Sequence, residues 1–191
     1  MSTIAFVLPV MQFIIDRIRE IRLELGLSQR DVSKLINPDT DSNLLGSIEG
    51  LKRNNGYTDH HLNLIAHGFT QRAQQMLSEL DANFIRQSNI KSQYTIYDFY
   101  PKETLGDIPQ PKTKIDIPKN SGPSGTLNAI LETKDFFNQP HTIREITDYC
   151  NSFYNKDWKS NNLTSTLDYA VRKAKLKKIE LPDGGVLYQK P

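Results

Sequence analysis

The stretch that most constrains this chain is Ser28 to Arg53, SQRDVSKLINPDTDSNLLGSIEGLKR. Ser28 is a strong N-cap residue, and Asp31 three positions later completes an acidic variant of the capping box. Val32, Leu35 and Ile36 then fall on one face at helical spacing. The turn that follows is dense in breakers, with Asn37, Pro38, Asp39, Asp41 and Ser42. Asp41 or Ser42 is expected to cap a second helix that buries Leu44, Leu45 and Ile48. Helix, turn, helix is the reading.

The rest of the first half supports a small helical domain. Phe13 to Leu25 is amphipathic, with Ile14, Ile18, Ile21 and Leu25 on one face and Gly26 as its stop. Past the polar loop LKRNNGYT, Thr58 is a cap. Leu62, Ile65, Ala66 and Phe69 then predict one helix, and Ala73, Met76, Leu77 and Leu80 another. Five helices in this length form a compact all-α domain over residues 11–88. Met11 opens the helical register, which leaves residues 1–10 as an extension.

IREIRLELGLSQRDVSKL followed by LLGSIEGLKR resembles the Xre-type helix-turn-helix of phage repressors and Cro proteins, over roughly residues 12–80. Gln29, the pair Ile48-Glu49 and the basic Lys52-Arg53 match the family pattern, while the turn is somewhat longer than its common form. The resemblance implies that Ser42, Asn43 and Ser47 face the DNA groove. Gln29, Lys52 and Arg53 would then touch phosphates, with Glu49 structural. Asn can bond adenine in two places, and Ser can donate or accept. No Arg or Lys sits at a base-reading position, and Gly46 costs about 1 kcal/mol of helix propensity relative to Ala.

Residues 89–123 read as an aromatic segment and a Pro/Lys linker. Tyr94, Ile96, Tyr97, Phe99 and Tyr100 are expected to pack against their own domain rather than stack on bases. IPQPKTKIDIPKNSGPSG is expected to be semi-extended.

Residues 124–191 have an order of their own. Leu127, Ile130, Leu131 and Phe137 mark a helix ending near Pro140. Thr142-x-x-Glu145 is a capping box for a second, with Ile143, Ile146, Cys150 and Phe153 on one face. Ser160 or Asn161 caps a third, which buries Leu163, Leu167, Ala170 and Ala174. Pro182-Asp183-Gly184-Gly185 between two apolar runs signals a hairpin. Three helices and a hairpin resemble a winged helix. By that analogy Thr164, Ser165 and Arg172 reach the major groove, and Lys173, Lys175, Lys177 and Lys178 hold phosphates. An i, i+4 pair with Asp168 would draw Arg172 away from the bases. The fold class is thus mainly α: a five-helix repressor-like domain followed by three helices and a β-hairpin.

Charge agrees with this division of labour. Residues 11–86 carry nine Lys and Arg against ten Asp and Glu, and residues 87–191 carry fifteen against twelve. Between Lys159 and Lys178, six cations face Asp168 alone. The single cysteine, Cys150, points to a reducing compartment and a core position. There is no apolar run long enough for a membrane span, and STIAFVLPVM lacks the basic start and cleavage site of a signal peptide. A cytoplasmic location follows.

His60, His61, His67 and His141 do not fall at metal-ligand spacing. The chain has no phosphate loop or nucleophile elbow, so neither cofactor nor enzyme activity is expected. The expected function is sequence-specific binding of double-stranded DNA by a transcriptional regulator. The other class in play is an interaction or antitoxin-like adaptor. A homodimer and a protein partner are the further partners to test.

Overall fold

A computed structural model describes residues 4–39, 43–80, 82–116, 118 and 120–191. The chain is mainly helical, with eight α-helices and a small three-stranded antiparallel sheet among the described residues. A short strand β1 (Phe6–Val7) leads into helix α1 (Pro9–Glu24). The helix starts before Met11 because Pro9 occupies its first turn, where no N–H is needed and the ring presets φ. Within the stretch expected to be an extension, the described residues from Ile4 onward enter β1 and α1, and Val7 is 2% exposed.

Helix α2 (Gln29–Ile36) carries the expected capping box: the Asp31 N–H donates to Ser28 Oγ (3.1 Å) and the Ser28 N–H to Asp31 Oδ2 (2.8 Å). Helix α3 (Leu44–Glu49) is capped by Asn43, whose Oδ1 accepts from the Gly46 N–H at 2.8 Å. The expected caps Asp41 and Ser42 lie outside the described residues. The pair anticipated between Thr58 and Leu80 is one helix, α4 (Asp59–Glu79), because Leu62, Ile65, Ala66, Phe69, Ala73 and Met76 form one unbroken buried stripe. Helix α5 (Ala82–Gln87) follows it.

The aromatic segment packs against its own domain as expected, and part of the stretch expected to be a semi-extended linker is paired as well. Tyr94 and Phe99 are buried, each edge-on to Phe69 at a centroid distance of 6.0 Å. Strand β2 (Gln110–Pro111) pairs antiparallel with β1, placing Phe6 opposite Pro111. Prolines and lysines did favour an extended backbone, but tertiary partners claim it.

Helix α6 (Pro123–Thr133) opens the last third, followed by strand β3 (His141–Thr142) and helix α7 (Ile143–Tyr154). Thr142 and Glu145 form the expected capping box. Helix α8 (Ser160–Arg172) starts after Lys159, whose N–H donates to Asn162 Oδ1 at 2.8 Å; neither Ser160 nor Asn161 is the cap. Ala174 is exposed rather than inward, because it adopts φ +54° and turns the chain out of the helix. Strands β4 (Lys177–Glu180) and β5 (Val186–Gln189) form the hairpin, with Gly184 at φ +82°, and the sheet order is β3-β5-β4.

Two apolar clusters result. The first is built from α1 to α5 with Tyr94 and Phe99, and takes in Tyr169 from α8. The second fills the space between α6, α7, α8 and the sheet, and takes in Leu23 from α1. Helix α1 therefore serves both: Ile14, Ile18, Ile21 and Leu25 face one cluster and Leu23 the other.

Candidate nucleic-acid interface

The first candidate surface lies along α3. A groove of about 1010 Å³ is lined by Asn43, Gly46, Ser47, Lys52, Arg53 and Lys114, with Ile4, Leu44 and Leu51 as its apolar floor. None of its described lining residues is acidic. Ser47 Oγ accepts from Arg53 Nη1 (3.4 Å) and from Asn55 Nδ2 (3.2 Å), which draws the basic loop over the helix.

Gly46 has a local reason for being there. A Cβ at this position would lie 2.6 Å from Asn43 Cγ, so only glycine leaves room for the cap. The cap narrows the expected readout. Asn43 Oδ1 already accepts from the Gly46 N–H, which leaves its second lone pair and the Nδ2 donors for a partner.

Behind the groove lies a buried charge network that holds α3 in place. Arg22 donates to both Glu49 oxygens, Nε to Oε1 and Nη2 to Oε2, each at 2.7 Å. Its Nη1 and Nη2 also reach Glu132 on α6 at 2.8 and 3.0 Å. Arg19 Nη1 adds bonds to Glu49 (3.1 Å) and Glu132 (3.3 Å), and its other nitrogens donate to the carbonyls of Ile115 and Asp116. Burial alone would disfavour the Arg22 charge, but the two carboxylates outweigh it and raise its pKa. Glu132 is held below the usual carboxylate range, since Arg22 and Arg19 overcome its own desolvation.

Gln29 belongs to this network as well. Its Nε2 donates to Glu49 Oε2 at 2.7 Å, so it faces inward and is not a phosphate contact. Glu49 is structural, as expected.

The second candidate surface is α8 and the hairpin. Asn161, Thr164, Asp168 and Arg172 are exposed at helical spacing on one face, with Ser165 half-buried beside them. The expected Asp168–Arg172 pair is not among the ion pairs of the described residues; the Arg172 guanidinium lies 5.5 Å over the Tyr169 ring instead. Tyr169 itself is turned toward the first half, where its hydroxyl accepts from Arg72 Nη2 at 2.9 Å. Lys173 Nζ pairs with Glu79 Oε2 at 2.9 Å.

Lys175 is the clearest correction. Its ammonium donates to the Gly26 carbonyl (2.8 Å) and to Asn128 Oδ1 (2.7 Å), and burial lowers its pKa to about 8. It joins the two halves rather than waiting for a phosphate. Lys177 is exposed, and Lys178 pairs with Glu180 at 3.4 Å.

Of the residues singled out in the sequence, the structure brings Asn43, Ser47, Lys52 and Arg53 into one groove, and Thr164, Ser165 and Arg172 along one helix. Ser42 lies outside the described residues. Sequence reasoning missed Lys114, which reaches the α3 groove only because β2 pairs with β1. It also missed Arg19 and Arg22, although two arginines three apart beside an isoleucine stripe were a legible sign of buried pairing. Among the described residues no group of three or more His, Cys, Asp or Glu could hold a metal, and no helix is long and apolar enough to cross a membrane. Cys150 is buried, and burial pushes its thiol up to about 12.

Comparison with known proteins finds no matching family, no matching curated protein and no matching solved structure.

Proposed function

We propose that this chain is a cytoplasmic, sequence-specific double-stranded DNA-binding protein, a transcriptional regulator of microbial or phage type. In this reading α2 and α3 are a repressor-like helix-turn-helix. Residues 124–191 are a winged helix, a reading supported by the order helix, strand, helix, helix, hairpin and the sheet order β3-β5-β4. The carrying observation is the α3 groove: a polar helix face with amide and hydroxyl groups, flanked by cations and free of described acids. Phosphates would be held by Lys52, Arg53 and Lys177, and bases read by Asn43, Ser47, Thr164, Ser165 and Arg172.

The test is selection of bound fragments from random duplex DNA, followed by substitution. Asn43→Asp keeps the helix cap but removes the amide donor, so it should change the selected sequence rather than unfold α3. Arg172→Ala should relax preference at its own position, whereas Lys177→Ala should weaken all sequences alike. If no duplex binds in a salt-sensitive manner, the proposal fails.

A second reading, an adaptor that uses these folds to bind protein, has its own supporting observation. Phe136 stacks on His141 (4.0 Å) and on Tyr149 (4.1 Å), and Phe153 beside them is 70% exposed. A stoichiometric partner lost on Phe153→Ser would favour that reading.

A further inference from the structure

We infer that the β1-β2 ribbon is part of the DNA-contacting surface and that Lys114 is a backbone-phosphate ligand beside α3. This rests on the DNA-binding reading above. Three observations carry it. First, Lys114 lines the same groove as Asn43, Ser47, Lys52 and Arg53, although it lies far from them in the chain. Second, the ribbon is fastened to the basic loop by the residue just before β1 and the residue just after β2. The Ala5 N–H donates to the Leu51 carbonyl and Lys112 Nζ to the Arg53 carbonyl, both at 2.8 Å. Lys112 is itself buried, and desolvation lowers its pKa, so this lysine positions the loop and does not meet solvent. Third, Lys114 is exposed, and Asp116, the acid nearest to it in sequence, is engaged by Lys134 at 2.6 Å.

The groove thus presents three cations, Lys52, Arg53 and Lys114, around an apolar and amide-bearing floor. That combination fits a polyanionic backbone spanning the groove from the loop to the ribbon. A phosphodiester strand carries its charges at regular spacing and needs only point-charge partners, which lysine provides. Lys114 on this account adds affinity and register without reading sequence.

The experiment measures binding of a mixed-sequence DNA duplex between about 50 and 200 mM salt. The proteins are the full chain, Lys114→Gln and Lys102→Gln; Lys102 is exposed on a different groove and serves as the control. Lys114→Gln should lower the log–log salt slope by about 0.9 and weaken binding about 8-fold at 0.1 M salt. Its circular dichroism and urea midpoint should match the parent, and Lys102→Gln should leave the slope as it was. Lys114→Glu, which reverses the charge, should weaken binding further. An unchanged slope for both Lys114 variants, with Arg53→Gln still reducing it, overturns the inference and leaves DNA binding standing. If Lys114→Gln abolishes binding of poly-aspartate, measured in parallel, while duplex binding stays intact, the inference is also overturned, in favour of an acidic protein partner. Absence of any salt-dependent duplex binding by the parent chain removes the underlying reading as well.

Discussion

At the scale of single residues, Glu24 has the most consequential surroundings. Its carboxylate is buried at the end of α1 and accepts the Gly122 and Gly125 N–H groups at the start of α6. Burial dominates, with neighbouring Glu20 adding to it, and the pKa rises from 4.5 to about 7 despite those two hydrogen bonds and Lys156. The folded state therefore prefers the protonated acid. That preference stabilises the fold fully below pH about 4.5 and is lost as pH climbs through about 7. The span is about 3 kcal/mol at 1.36 kcal/mol per unit. Glu24→Gln removes the titration, so the difference in urea midpoint between pH 5 and pH 8 should shrink relative to the parent. An undiminished difference would place the titration elsewhere. Gly125 is what permits the approach, since a Cβ there would lie 2.8 Å from Glu24 Cδ.

Among the elements, the packing of α2 on α4 turns on Gly68. In an exposed helix Gly→Ala stabilises by about 1 kcal/mol. Here a Cβ would sit 2.6 Å from Leu35 Cδ2 and 2.9 Å from its Cγ, so either the leucine must leave its place or α2 must move outward. Overpacking of this kind costs about 1–3 kcal/mol and outweighs the propensity gain. Gly68→Ala should thus lower the denaturation midpoint, and a rise would mean that Leu35 yields freely. Since α2 and α3 are linked through the Leu45 N–H and Ser33 Oγ at 3.1 Å, the displacement should also disturb the α3 groove.

For the whole molecule, the question is whether the two apolar clusters unfold together. They share α1, and the Arg22 fork binds Glu49 on one side and Glu132 on the other. Trp158, the only tryptophan, packs on the second cluster, whereas helical ellipticity reports both. Tryptophan fluorescence and circular dichroism should therefore give coincident urea transitions. Arg22→Met leaves the buried Glu49 and the partly exposed Glu132 to share Arg19. It should therefore cost less than the ~3–5 kcal/mol of a fully unpaired buried charge, and should shift both probes alike. Separate transitions in the parent chain would mean that the halves are independent.

What was legible in the sequence was local. The capping boxes at Ser28 and Thr142, the helical stripes and the glycine turn at Gly184 depend on neighbours within a few residues, so spacing alone reveals them. Asn43, Ser47, Lys52 and Arg53 are implied by the resemblance to the Xre-type motif, which reaches them because they are adjacent along one short helix and its loop. What only the tertiary structure decided was which polar groups are spent inside the molecule. Gln29 meets Glu49 across 20 positions and Lys175 meets Gly26 across 149, separations at which no periodicity carries information. The same is true of Lys114, which joins the groove through the pairing of β1 with β2. A lysine in a sequence is only a charge; whether it anchors the fold or faces a ligand depends on which distant carbonyls and carboxylates fold to meet it.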